Sequence, residues 1–307
     1  RFKKIRNMYH TPILFLIFAR PDTTQRVFER IRDIRPLKLY IAADAPRKDR
    51  PNEIVRSQET RRIVDKIDWP CEVHTLFRNE NLGCKSAVSS AITWFFDKEE
   101  YGVILEDDCL PDLSFFPFCE ELLIRYKDDD RIGHIGGNNF LTRVDNNLSY
   151  DFCSIAHIWG WASWRRVWRN YDVNLGYWKK ALENTTMMDS LFKSLKEKIY
   201  FSSFISDTLS GNKGLNTWDI QYYFMLRVQN QLSIYPSVNL VTNIGLSDPN
   251  ATHTTKKSLK NYIDSTSMSF PLKHPEYIIP NKCIDDKTVT RMFFSYKRLF
   301  RYVLGAY

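Results

Sequence analysis

The N-terminal third of the chain alternates between short, unbroken apolar runs and longer stretches whose apolar residues recur at helical intervals. Few folds accept that pattern. TPILFLIFAR (11–20) leads into PDTTQRVFERIRDI (21–34), which puts Pro21 at a helix start and Val27, Phe28, Ile31 and Ile34 along one side. LKLYIAADAP (37–46) precedes a charged surface helix, NEIVRSQETRRIVDKI (52–67), and CEVHTLF (71–77) precedes the helix CKSAVSSAITWFF (84–96). GVILEDD (102–108) closes the series. A strand that is apolar without interruption is buried on both faces, and repeated β-α units join such strands in parallel through right-handed crossovers. The expected class is α/β, with a mostly parallel central sheet flanked by helices.

Open sheets of this kind bind ligands at the carboxyl ends of their strands. Arg20, Asp44, Asn81 and the acids Glu106, Asp107 and Asp108 all fall at those ends. Three adjacent carboxylates beside a buried strand are costly unless positive charge meets them. Side chains alternate along a strand, so Glu106 and Asp108 are expected on one face and Asp107 on the other. A divalent cation, Mn2+ or Mg2+, with hard oxygen ligands would compensate the cluster, and a phosphate-bearing ligand would complete its shell. The competing assignment is capping, with Asp108 or Asp112 at the start of the helix after Pro111. A net charge of +8 favours anionic partners. Nucleic acid is not expected, because the chain has no zinc finger, helix-turn-helix signature or RNP-type strand.

Beyond about residue 130 the pattern loosens. RIGHIGGNNF (131–140) reads as a strand and a turn, 186–206 and DIQYYFMLRVQNQ (219–231) as helices, and LSIYPSVNLVTNIG (232–245) as a strand broken by proline. HIWGWASWRRVWRNYD (157–172) carries Trp159, Trp161, Trp164 and Trp168. On a helix, Trp161, Trp164 and Trp168 would form one core-facing stripe; Trp161, just after Gly160, is the member expected to reach a sugar. Six cysteines without C-x-x-C pairs suggest a reducing cytoplasm and no disulfide framework. No apolar run has transmembrane length and no signal peptide is apparent, although a start at Arg1 leaves room for an upstream segment. The stretch 287–307 sets Arg291, Lys297, Arg298 and Arg301 among aromatic and aliphatic residues. It suits either an anionic bilayer surface, on the inner face of the cytoplasmic membrane, or packing on its own domain.

Taken together, PILFLIFARPDTTQRVFERI, LYIAADAPR, RNENLGCKSAV, GVILEDDCLPDLSFF and IWGWASWRRVW resemble bacterial glycosyltransferases of the hemolytic-protein-like family, which have the GT-A nucleotide-diphospho-sugar transferase fold. These are distantly similar to the eukaryotic N-acetylglucosaminyltransferase that initiates complex N-glycans. The resemblance covers roughly residues 11–255. It implies a GT-A domain over 1–255, with a nucleotide-binding half at about 11–130 and an acceptor half at about 131–255, followed by a C-terminal extension over 256–307.

The resemblance also implies roles. Ala19 and Arg20 would contact the nucleotide, Arg20 through its guanidinium fork, where a salt bridge is the alternative. Asp44 would accept from the base or ribose, or else cap a turn before Pro46. Asn81, Gly83 and Lys85 would hold the diphosphate at a helix start, or form a plain tight turn. Asp108 would ligate the metal, with His253 in the loop NIGLSDPNATHT (243–254) as a second ligand. Glu106 and Asp107 would orient the donor sugar, ribose or metal-bound water. This chain has Glu-Asp-Asp where an Asp-X-Asp motif is common, and LSDPN where relatives carry an acidic segment, so Asp248 is the nearest acid there. Trp161 and Trp218 would face the donor or acceptor sugar. Asp219, in NTWDIQYYF, would be the general base of an inverting transfer, desolvated by Trp218 and Tyr222, or an N-cap of its helix.

The activity so implied is transfer from a nucleotide-diphosphate sugar, UDP-linked, to a glycan or polyprenyl-diphosphate-linked saccharide in surface polysaccharide assembly. Two other classes remain. A sugar-nucleotide nucleotidyltransferase would carry a Gly-rich loop where this chain reads ARPDTT. A non-catalytic glycan- or membrane-binding module would not need intact acids at 106–108 and 219.

Overall fold

The computed structural model describes residues 8–141, 147–209, 216–247, 263–293 and 299–300. Strands β1 (Ile13–Ile17), β2 (Lys38–Ala43), β3 (Glu72–Phe77) and β4 (Tyr101–Glu106) alternate with helices α1 (Pro21–Ile34), α2 (Pro51–Arg61) and α3 (Gly83–Phe96). The apolar runs behave as expected: β1 is buried along its whole length. Proline at the first position starts both α1 and α2, where a missing N–H costs nothing. Helix α1 buries Val27, Phe28 and Ile31 and ends at Arg35 in the left-handed conformation, φ 51°.

After β4 come β5 (Cys109–Pro111), α4 (Phe115–Arg125), β6 (Ile132–Gly136), β7 (Tyr150–Cys153) and β8 (Trp161–Trp164). A helical region follows with α5 (Arg165–Trp168), α6 (Gly176–Leu182), α7 (Thr185–Leu191), α8 (Leu195–Leu209) and α9 (Asp219–Val228). Strands β9 (Leu232–Pro236) and β10 (Val241–Asn243) and helix α10 (Lys282–Thr288), continued by a π-helical turn over Val289–Phe293, complete the described chain. The central sheet has the order β3-β2-β1-β4-β8-β6-β9-β7. Its first four strands are mutually parallel, β6 and β9 are parallel to each other, and β8 and β7 run against their neighbours. The protein is thus α/β with a mostly parallel sheet flanked by helices, in keeping with the Rossmann-like GT-A expectation.

The second half holds what periodicity misses. Strands β5 and β10 pair into a small antiparallel sheet of their own, Asn243 opposite Cys109. That pairing carries the chain after β10 back to the acids that follow β4. Trp161 and Trp164 lie on strand β8 rather than on a helix, and β8 pairs with both β4 and β6 at the centre of the sheet. The helical stripe is therefore not formed; Trp161 and Trp164 are buried because the strand bearing them is covered on both faces. Beside the main core, Trp178, Phe192, Phe201, Ile205, Tyr223, Phe224 and Val289 form a second apolar cluster among α6, α8, α9 and the π-helical turn.

The segment from 263 onward is tied to the body: Asn239 Nδ2 donates to the Ile263 carbonyl at 2.8 Å, and the Asn281 amide to that of Phe152 at 2.8 Å. Of the stretch 287–307, Val289 packs in the protein's own second core. Lys297, Arg298 and Arg301, which the membrane expectation needs, lie outside the described residues. Among the described residues no helix is long and apolar enough to cross a membrane. All six cysteines are free.

Candidate functional site

Because β1 to β4 are parallel, their carboxyl ends converge on one edge, and a cleft of about 670 Å³ opens there. Its wall includes Arg20 after β1, Asp44 after β2, Asn81 and Gly83 after β3, and Glu106, Asp107 and Asp108 at the end of β4. Trp218 and Asp219 close it from the start of α9, and Asn243 and Gly245 from the end of β10. The volume is within the range of small-molecule and cofactor sites.

Strand geometry stops at Glu106, so the strict alternation expected for the three acids does not extend to Asp107 and Asp108. Asp107 accepts from the Phe18 amide at 3.0 Å and from Arg20 Nη1 at 3.3 Å, while the same Nη1 lies 2.5 Å from Asp108. The turn after β4 thus brings both aspartates onto one guanidinium. Burial alone would lower the Arg20 pKa, but Asp107 and Asp108 outweigh it and raise it above its usual value. Glu106 is left without that contact. Burial first, then the charges of Asp108 and Asp107, push its carboxyl up to about 8 against the smaller pull of Arg20. Neither Asp108 nor Asp112 caps α4: the cap position is Ser114, without a side-chain cap bond, and Asp112 accepts from the Ser114 amide at 2.9 Å and the Ser114 hydroxyl at 2.5 Å in the segment before it. Gly245 lies directly against Asp108, so that a Cβ at 245 would overlap its carboxylate.

Asp44 serves as a clasp. Its carboxylate accepts from the amides of Leu82 and Gly83, each at 3.0 Å, and from its own neighbour Ala45 at 3.0 Å. Asn81 Nδ2 donates to the Ala45 carbonyl at 2.5 Å. Apart from the Asp44–Ala45 contact these bonds tie the end of β2 to the end of β3 rather than closing a local turn, and both residues line the cleft. Gly83 opens α3 at φ +75°, a conformation suited to glycine, and has no room for a Cβ beside the Asn216 amide. Asn216 in turn accepts from the Lys85 amide at 3.0 Å. Neither Lys85 nor the buried Ala19 is part of the cleft wall.

Asp219 is the first residue of α9, following the cap position Trp218. It accepts from the Thr217 hydroxyl and, at 2.8 Å, from the Ile220 amide, so its carboxylate is braced by its own turn while lining the cleft. Trp161 is wholly buried and does not line the cleft. Gly160, at φ +69°, is the reason: it turns the chain so that Trp159 lines the cleft while Trp161 enters β8. Trp161 stacks on His134 and on Trp218, with ring centroids 5.7 Å away in each case. The expected sugar contact at Trp161 is therefore replaced by a structural one, and Trp218 backs onto that stack while lining the cleft. His253 and Asp248 lie outside the described residues.

Sequence reasoning passed over Trp159, Arg47, Arg78, Asn216, Asn243 and Gly245, all on the cleft wall. Arg78 had a signal, since it follows β3 as Arg20 follows β1, and Asn243 and Gly245 had one as part of the loop 243–254. The others reach the cleft through tertiary turns.

Among the described residues no group of three or more His, Cys, Asp or Glu is disposed to hold a metal. The chemistry of the acids nevertheless suits a hard cation: one guanidinium meets two of the three carboxyls, and Glu106, raised by burial first and then by the charges of Asp108 and Asp107, stands beside them without a cation of its own among the described residues.

No protein-family profile and no curated protein sequence matches the chain. Solved structures resemble it at a distance. A mannosyltransferase from Pyrobaculum calidifontis, solved with GDP-mannose and Mn2+, is 14% identical with a TM-score of 0.39 over 56% of this chain and 50% of its own, so half of that protein's length is spanned. HddC from Yersinia pseudotuberculosis is 12% identical, TM-score 0.30, over 52% of this chain and 80% of its own. The inositol-1-phosphate CTP transferase of T. maritima is 8% identical, TM-score 0.31, over 52% and 73%. Likenesses this distant assign neither substrate nor reaction.

Proposed function

We propose that the chain is a glycosyltransferase that moves a sugar, with inversion, from a nucleotide-diphosphate donor, UDP-linked, to a saccharide or lipid-linked saccharide acceptor. The observation that carries this reading is the convergence of Arg20, Asp44, Asn81 and Glu106–Asp108 from four successive strand ends onto one cleft that also contains Asp219. Asp44 and Asn81 offer hydrogen-bonding groups to the nucleoside side of the cleft. Arg20 and Arg78 supply positive charge for the diphosphate, where a guanidinium fork matches phosphate oxygens. Asp219 is the carboxylate that takes the proton of the attacking acceptor hydroxyl. Its bracing by Thr217 and Ile220 fixes the direction in which it accepts.

Asp108, with diphosphate oxygens, would hold a divalent cation; bound there, Mn2+ or Mg2+ neutralises charge developing on the departing diphosphate. Asp107 keeps its place through the Phe18 amide, and Glu106, whose carboxyl burial and the two aspartates hold above the usual range in the metal-free protein, lines the same cleft. Trp159 and Trp218 exclude water from one side of the cleft.

Calorimetric titration with UDP and GDP, with and without Mn2+, followed by a screen of sugar nucleotides for donor hydrolysis, tests the reading. Metal-dependent UDP binding and release of free sugar are expected. Failure of every nucleoside diphosphate to bind would overturn it in favour of a non-catalytic module.

A further inference from the structure

Helix α3 begins without a cap of its own: Leu82 holds the cap position and makes no side-chain cap bond. The first four N–H groups of a helix have no acceptor within it, so other parts of the chain must supply one. Asp44, just after β2, accepts from the amides of Leu82 and Gly83. The amide of Lys85, the third residue of the helix, goes instead to Asn216 Oδ1 at 3.0 Å. The fit is close, since a side chain at Gly83 would collide with the Asn216 amide group.

This bond joins two parts of the cleft wall. Gly83 and Cys84 of α3 belong to it, and so do Asn216, Thr217 and Asp219. Asn216 opens the turn that leads into α9. Its neighbour Thr217 donates a hydroxyl hydrogen bond to Asp219 Oδ1, and the Ile220 amide donates to the same oxygen at 2.8 Å. Behind the turn, Trp218 stacks on Trp161, and its carbonyl accepts from the Tyr171 hydroxyl at 3.0 Å. Packing thus fixes where α9 starts, while Asn216 anchors the two residues ahead of it to α3.

We infer that Asn216 is a positioning residue: by capping α3 from a distant part of the chain it holds Thr217, and through Thr217 it sets the direction in which the Asp219 carboxylate points. The role of Asp219 as base rests on the glycosyltransferase reading; the coupling between Asn216 and Asp219 does not.

Amide hydrogen exchange on the full chain, read by NMR without nucleotide or metal, tests the coupling, and donor hydrolysis with Mn2+ tests its use. Asn216 is exposed, so replacing it opens no hole in the core. In Asn216→Ala the Lys85 amide should exchange about tenfold faster, the worth of one hydrogen bond. The Ile220 amide should quicken at least threefold, because its acceptor turns away. The same variant should lose at least tenfold in kcat with UDP affinity within threefold. Asn216→Asp keeps an acceptor for the Lys85 amide, and should bring both exchange rates and kcat at saturating donor to within threefold of wild type. Added to Asp219→Asn, Asn216→Ala should cost no more than twofold further, since it acts through the residue already changed. Wild-type exchange at Ile220 in Asn216→Ala would overturn the coupling, as would Asn216→Asp behaving no better than Asn216→Ala. Full multiplication of the two kcat losses would show that Asn216 does not act through Asp219, and a loss confined to UDP affinity would make it a direct ligand contact; either result overturns the positioning role. A wild type that turns over no sugar nucleotide would sink the glycosyltransferase reading instead, and exchange at Ile220 would still decide the coupling.

Discussion

Two histidines lie in the core, His134 wholly buried and His157 7% exposed, and burial pushes both pKa values down to about 3. A histidine depressed in the folded state contributes stability that is complete above its unfolded pKa, near 6.5, and lost as pH falls toward the folded value. Between pH 6.5 and 5 the pair therefore removes about 3 kcal/mol. Glu106 works the other way. Its folded pKa of about 8 exceeds the ordinary carboxyl value, so the folded state binds its proton more tightly, and stability rises as pH falls from 8 toward 4.5. Over the same interval it returns about 2 kcal/mol, and the net loss is about 1 kcal/mol. Urea unfolding of metal-free protein, followed by tryptophan fluorescence at half-unit steps of pH, reads these slopes. In Glu106→Gln the loss should steepen to about 3 kcal/mol, and His157→Phe should halve the histidine share. Asp285, whose carboxyl burial also raises, is common to all variants and drops out of the comparison. Parallel slopes for wild type and Glu106→Gln would refute the protonated Glu106; a wild type whose stability rises steeply between pH 6.5 and 5 would refute the buried neutral pair.

Asp219→Asn should lower kcat by about 10²–10⁴-fold with UDP affinity within threefold, and near-wild-type turnover would remove it as base. Arg20→Met should weaken UDP binding yet tighten Mn2+ binding measured without nucleotide, because the guanidinium lies on Asp108 at 2.5 Å; unchanged Mn2+ affinity in calorimetry would show that the two cations do not compete. Gly245→Ala puts a methyl group into the Asp108 carboxylate and should cost at least tenfold in UDP–Mn2+ affinity, whereas full affinity would mean that the segment after β10 gives way freely.

Strands β1, β2 and β4 and the three helices between the first four strands were legible because a doubly buried strand writes itself as an apolar run and a surface helix as a 3.6-residue pattern, while the edge strand β3, half-exposed, was legible from its place between two helices. That alone placed Arg20, Asp44, Asn81 and the acids on one edge. What could not be read was where the chain departs from regular geometry. Asp107 leaves the strand alternation at a turn, and Gly160 rotates Trp159 into the cleft and Trp161 out of it. The Asn216 cap on α3 joins residues 131 apart in sequence, a contact that no local pattern encodes.

The tryptophans themselves carry a mechanical consequence. Trp161 on β8 touches Trp218 at the cap of α9 and Tyr222 one turn further on, with ring centroids 4.8 Å apart for the second pair. Trp168 on α5 closes the group against Trp218 and Tyr222. Strand β8 pairs directly with β4, the strand that ends in Glu106. Asp219 and the acids after β4 therefore stand on two elements joined through one rigid aromatic stack, so their separation is set by packing rather than by a loop. Aromatic pairs of this geometry add about 0.5–1.5 kcal/mol each beyond their buried area. Tryptophan crowding, which in sequence suggests sugar binding, here mainly fixes the distance between the carboxylate that would take the proton and those that would face the departing diphosphate; only Trp159 and Trp218 remain for the ligand.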